Sequence, residues 1–416
     1  MELLEIQNFL TIRQAKLDVR RFTILIGPQA SGKSVVAKLL YFFRNFLSKQ
    51  YIQSIRNQET KQQLERKVII YFEQIFPRYA WFDQEFELSY STEDIKIILR
   101  RQGRSSKKLG LKFDYSRNLA ELHRKAKTNY KHLLEKVKNV PESRSYRGLV
   151  AFNQVLADYI YSGPLKQNFH DSIFIPASRS FFANLQKNVF SFLANSISID
   201  LLIKEFGSVY ESSKMLYDQE YWLSEEIKQE VEKILAGQYV YEDDQDWIIS
   251  DKRNINLANA SSGQQEVLPL LLVLSAWQYH RSGAQPPTFF MEEPEAHLFP
   301  VSQRRLVGLF SRFYKALGYN FLLTTHSPYI LTALNNLIMA SNLTEEQKVK
   351  SNGKVKKIIG ADEPIRFEDV SAYTIENGKL ESILNQETRL IGSSIIDSVS
   401  DEFDRVFDKL MKIELS

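Results

Sequence analysis

The stretch Gly27-Pro28-Gln29-Ala30-Ser31-Gly32-Lys33-Ser34 decides the fold of this 416-residue chain. It matches the phosphate-binding P-loop at every fixed position of that motif. The apolar run 22–26 before it predicts a buried strand, and the run that begins at Val35 predicts a helix. Because loop N–H groups and helix N-termini bind anions, this strand, loop and helix together predict a nucleoside triphosphate site.

Two side chains of this loop have expected roles. Lys33 is expected to reach the β- and γ-phosphates, and the Ser34 hydroxyl is expected to ligate Mg²⁺. The backbone N–H groups between Gly27 and Val35 are expected to surround the phosphates.

Composition limits the protein class. The sequence is 44% hydrophobic and 25% charged, which is typical of a globular protein, and it contains no cysteine. The absence of cysteine excludes disulfides, thiolate metal sites and cysteine nucleophiles within this sequence. The first residues lack a basic stretch followed by an apolar one, and no long apolar run occurs. We therefore expect a cytoplasmic protein that does not enter a membrane.

The net charge of +4 hides an uneven distribution. Between Arg100 and Arg147, fifteen Lys and Arg stand against four Asp and Glu, so that this stretch carries +11. Such a field attracts nucleic acid or an acidic protein. A solvated helical insertion is the alternative interpretation, since runs of charge often only face water.

The order of predicted elements indicates a split core. Three strands open the chain, and a helical stretch follows the P-loop helix at about 53–76. Strand-like runs lie at 86–90, 95–99 and 109–113, where we expect a small antiparallel sheet, and a basic helix is predicted at 118–138. We expect residues 1–50 and 254–416 to form the core and residues 51–253 to form an antiparallel β segment with a helical insertion.

A second motif, Ala260-Ser261-Ser262-Gly263-Gln264, precedes an apolar helical run. Two serines and a glycine at a helix start predict an anion-binding N-terminus that is capped by Ser261 or Ser262.

A third motif is the apolar strand 288–291 followed by paired carboxylates. One acid in this position can serve Mg²⁺ while the next polarises water beside the γ-phosphate. We therefore assign Glu292 to the metal and Glu293 to general base catalysis.

A fourth motif is the buried run 321–325, which ends at His326. The gap of 33 residues from Glu293 suits one crossover helix, predicted at 301–317. Adjacent parallel strands would then bring Glu293 and His326 to the same sheet edge.

Together these residues resemble the ABC-type ATPases of the branch that contains the SMC, RecF and OLD (overcoming lysogenisation defect) proteins. The resemblance covers residues 1–50 and about 254–334. By this resemblance, segment 27–34 is similar to Walker A and segment 260–264 to the Leu-Ser-Gly-Gly-Gln signature. Segment 289–293 is similar to Walker B, segment 295–297 to the D-loop and His326 to the switch histidine.

The resemblance implies a fold and a mechanism. The implied fold is an α/β P-loop ATPase head with a mostly parallel central sheet, an antiparallel β subdomain and a helical insertion. ATP and Mg²⁺ are the implied cofactors, and Lys33, Glu293 and His326 are the implied catalytic residues. Two protomers would enclose two ATP molecules head to tail, as a homodimer or within a larger homo-oligomer, with Ser261–Gln264 completing the neighbour's site.

Some positions depart from the family pattern. Glu292 stands where Walker B usually has aspartate, and Ala260 and Ser262 replace the signature's leucine and glycine. No sustained heptads for long coiled-coil arms occur. We expect no Toprim nuclease domain after His326, and we expect Asp397, Asp401 and Asp404 to lie on an exposed helical face. The candidates for the Q-loop are Gln74, Gln84 and Gln102. Arg179 is the alternative residue that would face the nucleotide instead.

Two functional classes remain open. The first is the stand-alone ATPase subunit of a prokaryotic anti-phage system, similar to those of PARIS or Septu modules, which controls a separate nuclease or toxin. The second is a RecF-like ATPase that binds DNA through the basic stretch 100–147.

Overall fold

The computed structural model describes most of the chain. The described residues are 2–101, 110–137, 144–183, 199–217, 224–251, 253–280, 285–343, 345–350, 353–360 and 362–392. Among the helices in these ranges, none combines the length and the apolar character that crossing a membrane requires.

The strands are numbered here in chain order. They are β1 (Glu2–Phe9), β2 (Ile12–Val19), β3 (Phe22–Ile26), β4 (Phe86–Ser91), β5 (Lys96–Arg101), β6 (Lys112–Tyr115), β7 (Ser172–Ile175), β8 (Gln238–Glu242), β9 (Gln245–Ser250), β10 (Arg253–Asn256), β11 (Thr288–Glu292), β12 (Asn320–Thr325), β13 (Val370–Glu376), β14 (Lys379–Ser382), β15 (Leu384–Asn385) and β16 (Leu390–Ile391).

The helices are numbered in the same way. They are α1 (Lys33–Asn45), α2 (Ile52–Arg56), α3 (Lys61–Ile75), α4 (Arg117–Val137), α5 (Arg144–Val155), α6 (Leu201–Tyr217), α7 (Glu225–Leu235), α8 (Ser262–His280), α9 (Pro300–Ala316), α10 (Pro328–Asn342), α11 (Glu345–Lys350) and α12 (Lys354–Ile359). A π-helical segment, Phe46–Tyr51, joins α1 to α2.

Eleven strands form one sheet in the order β6-β5-β4-β1-β2-β14-β13-β3-β12-β11-β7. The half from β13 to β7 is parallel and carries the P-loop strand β3. This arrangement confirms the predicted α/β class with a parallel core sheet. The other half is antiparallel, apart from the short β14–β2 pair.

The antiparallel strands belong to the same sheet. Strands β4, β5 and β6 pair as predicted, but they continue the large sheet through β1, where Leu3 opposes Ser91, instead of forming a small sheet of their own. A separate three-stranded sheet, β10-β9-β8, precedes α8 and was not expected. The division of the chain into a core, residues 1–50 and 254–416, and an insertion, residues 51–253, stays a prediction. Strands of both parts share the large sheet.

Two hydrophobic cores cover the two faces of the sheet. Because side chains alternate along a strand, Leu322 belongs to the core under α1 while Phe321 and Leu323 belong to the core under α8, α9 and α10. The same alternation occurs on β11, where Phe290 faces the first core. Burial on both faces explains why these strands read as unbroken apolar runs.

Register brings the strand ends to one edge. Thr325 pairs with Ile26, and Glu292 pairs with Thr324. The residues that follow β3, β12 and β11 therefore emerge together, as the sequence predicted for the P-loop, His326 and Glu293. The predicted crossover helix is present as α9, between β11 and β12.

Candidate active site

The P-loop runs from Gly27 to the first turn of α1. Two of its glycines have positive φ, 151° at Gly27 and 107° at Gly32, and Ala30 also lies in the left-handed region at 59°. At Gly32 a Cβ atom would stand 2.5 Å from Ile12 Cδ1 and 2.8 Å from the Thr11 hydroxyl. Glycine is therefore required here both by the backbone angle and by the β1–β2 turn that packs against the loop.

Lys33 folds back over the loop. Its Nζ donates to Gly27 O at 2.8 Å and to Pro28 O at 2.7 Å, and the residue is only 5% exposed. Burial lowers the pKa of Lys33, whereas the carboxylates of Glu293 and Glu295 oppose that shift. The ammonium group thus lies within electrostatic reach of the acids that follow β11.

The loop has the properties of an anion site. No side chain caps the N-terminus of α1 at Gly32, and its first turn contains no acidic residue. The Ser31 hydroxyl is buried without a hydrogen-bond partner in the described structure. Uncapped N–H groups at a helix start, an unpaired hydroxyl and a lysine make a cradle for phosphate oxygens. The residues present therefore fit a bound nucleotide.

Glu293 and His326 meet at the sheet edge. His326 Nε2 lies 3.3 Å from Glu293 Oε1, and the two side chains are 34% and 43% exposed. Glu293 has φ 44°, a left-handed backbone that a non-glycine residue adopts at a cost of about 1–2 kcal/mol. Its N–H donates to Thr324 O at 2.9 Å, which fixes the residue to β12. The predicted pair is thus brought together on strained but well-anchored backbone.

Glu295 supports the histidine through its backbone. Its Oε1 accepts from the Thr325 hydroxyl and from the backbone N–H of His326, the latter at 3.0 Å. Its Oε2 is buried without a partner in the described structure. Because Glu295 holds the peptide of His326, it positions the histidine, a role that the sequence did not reveal.

Arg179 is the central structural residue of this edge. It follows β7, is 0% exposed, and donates at 2.8–2.9 Å to four backbone carbonyls. The acceptors are the carbonyl oxygens of Pro176, Glu266, Glu292 and Glu293. Its Nε also lies 3.5 Å from the Glu266 carboxylate. One guanidinium therefore connects β7, the first turns of α8 and the backbone of the expected base.

The burial of Arg179 corrects an expectation. Burial lowers its pKa, and the nearby carboxylates of Glu266, Glu295, Glu292 and Glu293 oppose that shift. Because its donors are directed at carbonyls inside the protein, it does not face the nucleotide as the sequence suggested. The available signal was an arginine placed directly after a buried strand in Ile175-Pro176-Ala177-Ser178-Arg179.

The signature-like segment forms a capping box. The Gln264 N–H donates to Ser261 Oγ at 3.4 Å, and the Ser261 N–H donates to Gln264 Oε1 at 3.1 Å. Ser261 is therefore the cap of α8, one of the two alternatives, and Ser262 begins the helix. Gln264 Nε2 also donates to Leu235 O at 2.9 Å. Both serines are exposed, so this helix start faces outward.

Gly263 lies against the segment 295–297, which the sequence predicted to be the D-loop. A Cβ atom at this position would stand 2.8 Å from His297 O. His297 itself has φ 59°. Any larger residue at 263 would have to separate the start of α8 from the segment that follows Glu293.

The predicted metal residues lie at the ends of two neighbouring elements. Ser34 is exposed on the first turn of α1, and Glu292 is buried at the end of β11. Within the described ranges no group of three or more acidic, histidine or cysteine side chains forms a metal cluster. A P-loop site needs no such cluster, because Mg²⁺ keeps several water ligands and takes the others from the nucleotide phosphates and one or two protein groups.

The Q-loop candidates differ in placement. The Gln84 side chain accepts a hydrogen bond from the Leu10 N–H at 2.8 Å. Leu10 belongs to the β1–β2 turn that packs against Gly32. Gln74 is exposed on α3, and Gln102 lies outside the described residues. Gln84 is therefore the candidate tied to the P-loop, although its role stays a prediction.

The chain is similar to solved structures and to one family model. None of the curated proteins compared matches the chain. Among solved structures, the SMC head domain from Thermotoga maritima is 12% identical, with 92% of this chain and 98% of that chain covered and a TM-score of 0.37. An Smc head domain bound to the C-terminal domain of ScpA, derived from Pyrococcus furiosus, is also 12% identical, with 96% and 100% covered and a TM-score of 0.38. A model of the AAA ATPase domain matches residues 1–331, and this protein therefore belongs to the AAA ATPase domain family.

Proposed function

We propose that this protein binds ATP with Mg²⁺ at residues 27–35 and hydrolyses it at the edge formed by β3, β12 and β11. The observation that carries the proposal is the Glu293–His326 contact of 3.3 Å on strands in register with the P-loop strand. Bound MgATP would supply the phosphoanhydride bond that is broken. The P-loop fits its phosphates, and Ser34 and Glu292 are the residues that would hold the metal ion.

The two side chains have complementary roles. Glu293 is partly exposed and can accept a proton from water, which makes the water a stronger nucleophile. His326 contacts the same carboxylate and can orient it and stabilise developing charge. Arg179 and Thr324 hold the backbone of Glu293 from two sides, so that the base keeps a fixed position.

We further propose that two protomers share each site. The capped start of α8 places Ser261 and Ser262 on the surface, with their helix N-terminus available to an anion held by another molecule. Gly263 joins this surface to the D-loop, and Arg179 joins α8 to Glu293.

We propose that this nucleotide-driven assembly controls a separate effector, such as a nuclease or toxin, in a prokaryotic anti-phage system. The motif wording Glu-Glu-Pro-Glu-Ala-His-Leu at 292–298 and the Ser-Ser-Gly-Gln signature support the OLD-like branch. The second candidate, a RecF-like DNA-binding ATPase, is supported by the exposed cations of α4, among them Arg124, Lys125 and Lys131. Steep loss of DNA affinity with added salt would favour this second candidate.

The test of the enzyme is direct. The purified protein is expected to release phosphate from ATP in the presence of Mg²⁺, and Lys33→Ala is expected to abolish both nucleotide binding and turnover. Lys38→Ala, further along α1, is the matched control. Equal rates for wild type and Lys33→Ala would show that any observed hydrolysis belongs to a contaminant or to another site.

Subunit mixing tests the shared site. Ser261→Arg and Glu293→Gln are each expected to be inactive alone. A mixed head-to-tail dimer has one intact site and one site with both lesions, so an equal mixture should recover roughly a quarter of the wild-type rate. Complete failure to recover, with both variants folded and binding ATP, would contradict the shared site.

A further inference from the structure

The hairpin of α4 and α5 lies outside the nucleotide site and contains an open cleft of about 200 Å³. Tyr130 and Phe152 hold the two helices together, with their rings 5.3 Å apart and edge to face. The side chains that line the cleft are mostly apolar: Leu133, Val137, Tyr146, Arg147, Val150, Ala151 and Gln154.

Arg147 is buried in this cleft with unused donors. It is only 9% exposed, and its Nη1 donates to Val137 O at 3.1 Å, at the end of α4. Its Nε and Nη2 are buried and have no hydrogen-bond partner in the described structure. These two N–H groups make the burial of Arg147 unfavourable, because they have lost water and gained no hydrogen bond in exchange. An incoming oxyanion would satisfy it.

The surroundings of the cleft combine apolar and cationic groups. Tyr146, Leu149 and Val150 are exposed large hydrophobic residues on α5. On α4 the exposed cations include Lys131 and Lys136. Apolar side chains beside a single buried guanidinium, inside a basic field, are complementary to a ligand that is itself both apolar and acidic.

We propose that this cleft binds an acidic, apolar segment of a protein partner, with a carboxylate paired to Arg147 and aliphatic or aromatic side chains against Val137 and Val150. Nucleic acid fits the cleft less well, since its phosphates gain nothing from an aliphatic lining. The proposal rests on the proposed role as a controller of a separate effector, but its test needs no ATP turnover. The occupant is thus defined by chemistry: a carboxylate with apolar neighbours.

Selection from a library of random short peptides, carried out on the full chain, tests the proposal. The enriched peptides are expected to share an Asp or Glu beside aliphatic or aromatic residues. Labelled copies of these peptides, measured by fluorescence anisotropy, are expected to bind Arg147→Gln at least about tenfold more weakly than wild type. Arg147→Lys should lose less affinity for these peptides than Arg147→Gln does. Lys315→Gln, which removes an exposed charge on α9, should bind as wild type does.

Further measurements keep the result decisive. ATP hydrolysis and the melting temperature of each variant show whether the fold is intact, so that failure here is separable from failure of the proposed enzyme. If Arg147→Gln does not fold, Val150→Glu at the exposed rim should block the same peptides. Enriched peptides without acids, unchanged affinity in the variants or no enrichment would overturn the proposal. So would an oligonucleotide that requires Arg147 when no peptide does.

Discussion

Replacement of Arg179 by Met probes the connection between α8 and the catalytic edge. Met has similar length but no side-chain donors. The change therefore removes the guanidinium from four backbone carbonyls and leaves the buried Glu266 carboxylate without its cation. Removing one member of a buried ion pair costs about 3–5 kcal/mol, and the lost hydrogen bonds act in the same direction without adding fully. We expect a loss of about 4 kcal/mol in the free energy of unfolding.

This loss corresponds to a fall of roughly 5 °C in melting temperature for a chain of this size. Because Arg179 also holds the Glu293 carbonyl, we expect kcat for ATP hydrolysis to fall while the dissociation constant for ATP stays near the wild-type value. Differential scanning calorimetry, phosphate release and fluorescent-nucleotide binding measure the three quantities.

Glu266→Gln in the Arg179→Met background is the informative control. It removes the buried carboxylate charge, so it should recover part of the lost stability but not kcat, since the carbonyl of Glu293 still lacks its donor. A melting temperature within about 1 °C of wild type together with unchanged kcat for Arg179→Met would refute the reasoning.

Other substitutions test the packing at Gly263, the P-loop backbone at Gly32 and the burial of His123. Gly263→Ala should slow hydrolysis and spare ATP binding, because its Cβ would meet His297 O at 2.8 Å, whereas Gly110→Ala, which meets nothing within 4 Å, should change neither. Gly32→Ala should abolish ATP binding in calorimetric titration, because both its φ of 107° and the Ile12 side chain exclude a Cβ. Burial and the charge of Lys127 lower the pKa of His123 to about 4, compared with 6.5 in the unfolded chain. As pH falls, the unfolded chain therefore takes up this proton before the folded protein does, and the free energy of unfolding falls between pH 6.5 and pH 4. His123→Gln should remove up to about 3 kcal/mol of that pH dependence in urea unfolding, and parallel pH profiles would contradict the assignment.

The parallel half of the sheet was predictable because its signals are local. The P-loop, the paired carboxylates and His326 each follow a short apolar strand. Because parallel strands present their carboxyl ends at one edge, the amino-acid sequence alone is enough to bring Glu293 and His326 together. The sequence does not decide between Ser261 and Ser262 as the cap of α8, since adjacent serines offer the same chemistry until the helix start is known.

The other parts of the fold and of the site depend on contacts between segments that are far apart in the sequence. The position of β7 beside β11, and with it Arg179 at the back of Glu293, joins residues more than one hundred positions apart. The pairing of β4 with β1 is likewise set by which edge strand is free, and composition does not encode that. Asp397, Asp401 and Asp404, expected on an exposed helical face, lie outside the described residues.

We propose that Glu293 is the base for ATP held by the P-loop, and the rate of phosphate release by Glu293→Gln, with ATP affinity measured in parallel, tests this role. We expect the variant to bind ATP as tightly as wild type and to turn over at least about a hundredfold more slowly. Wild-type turnover in Glu293→Gln would contradict it.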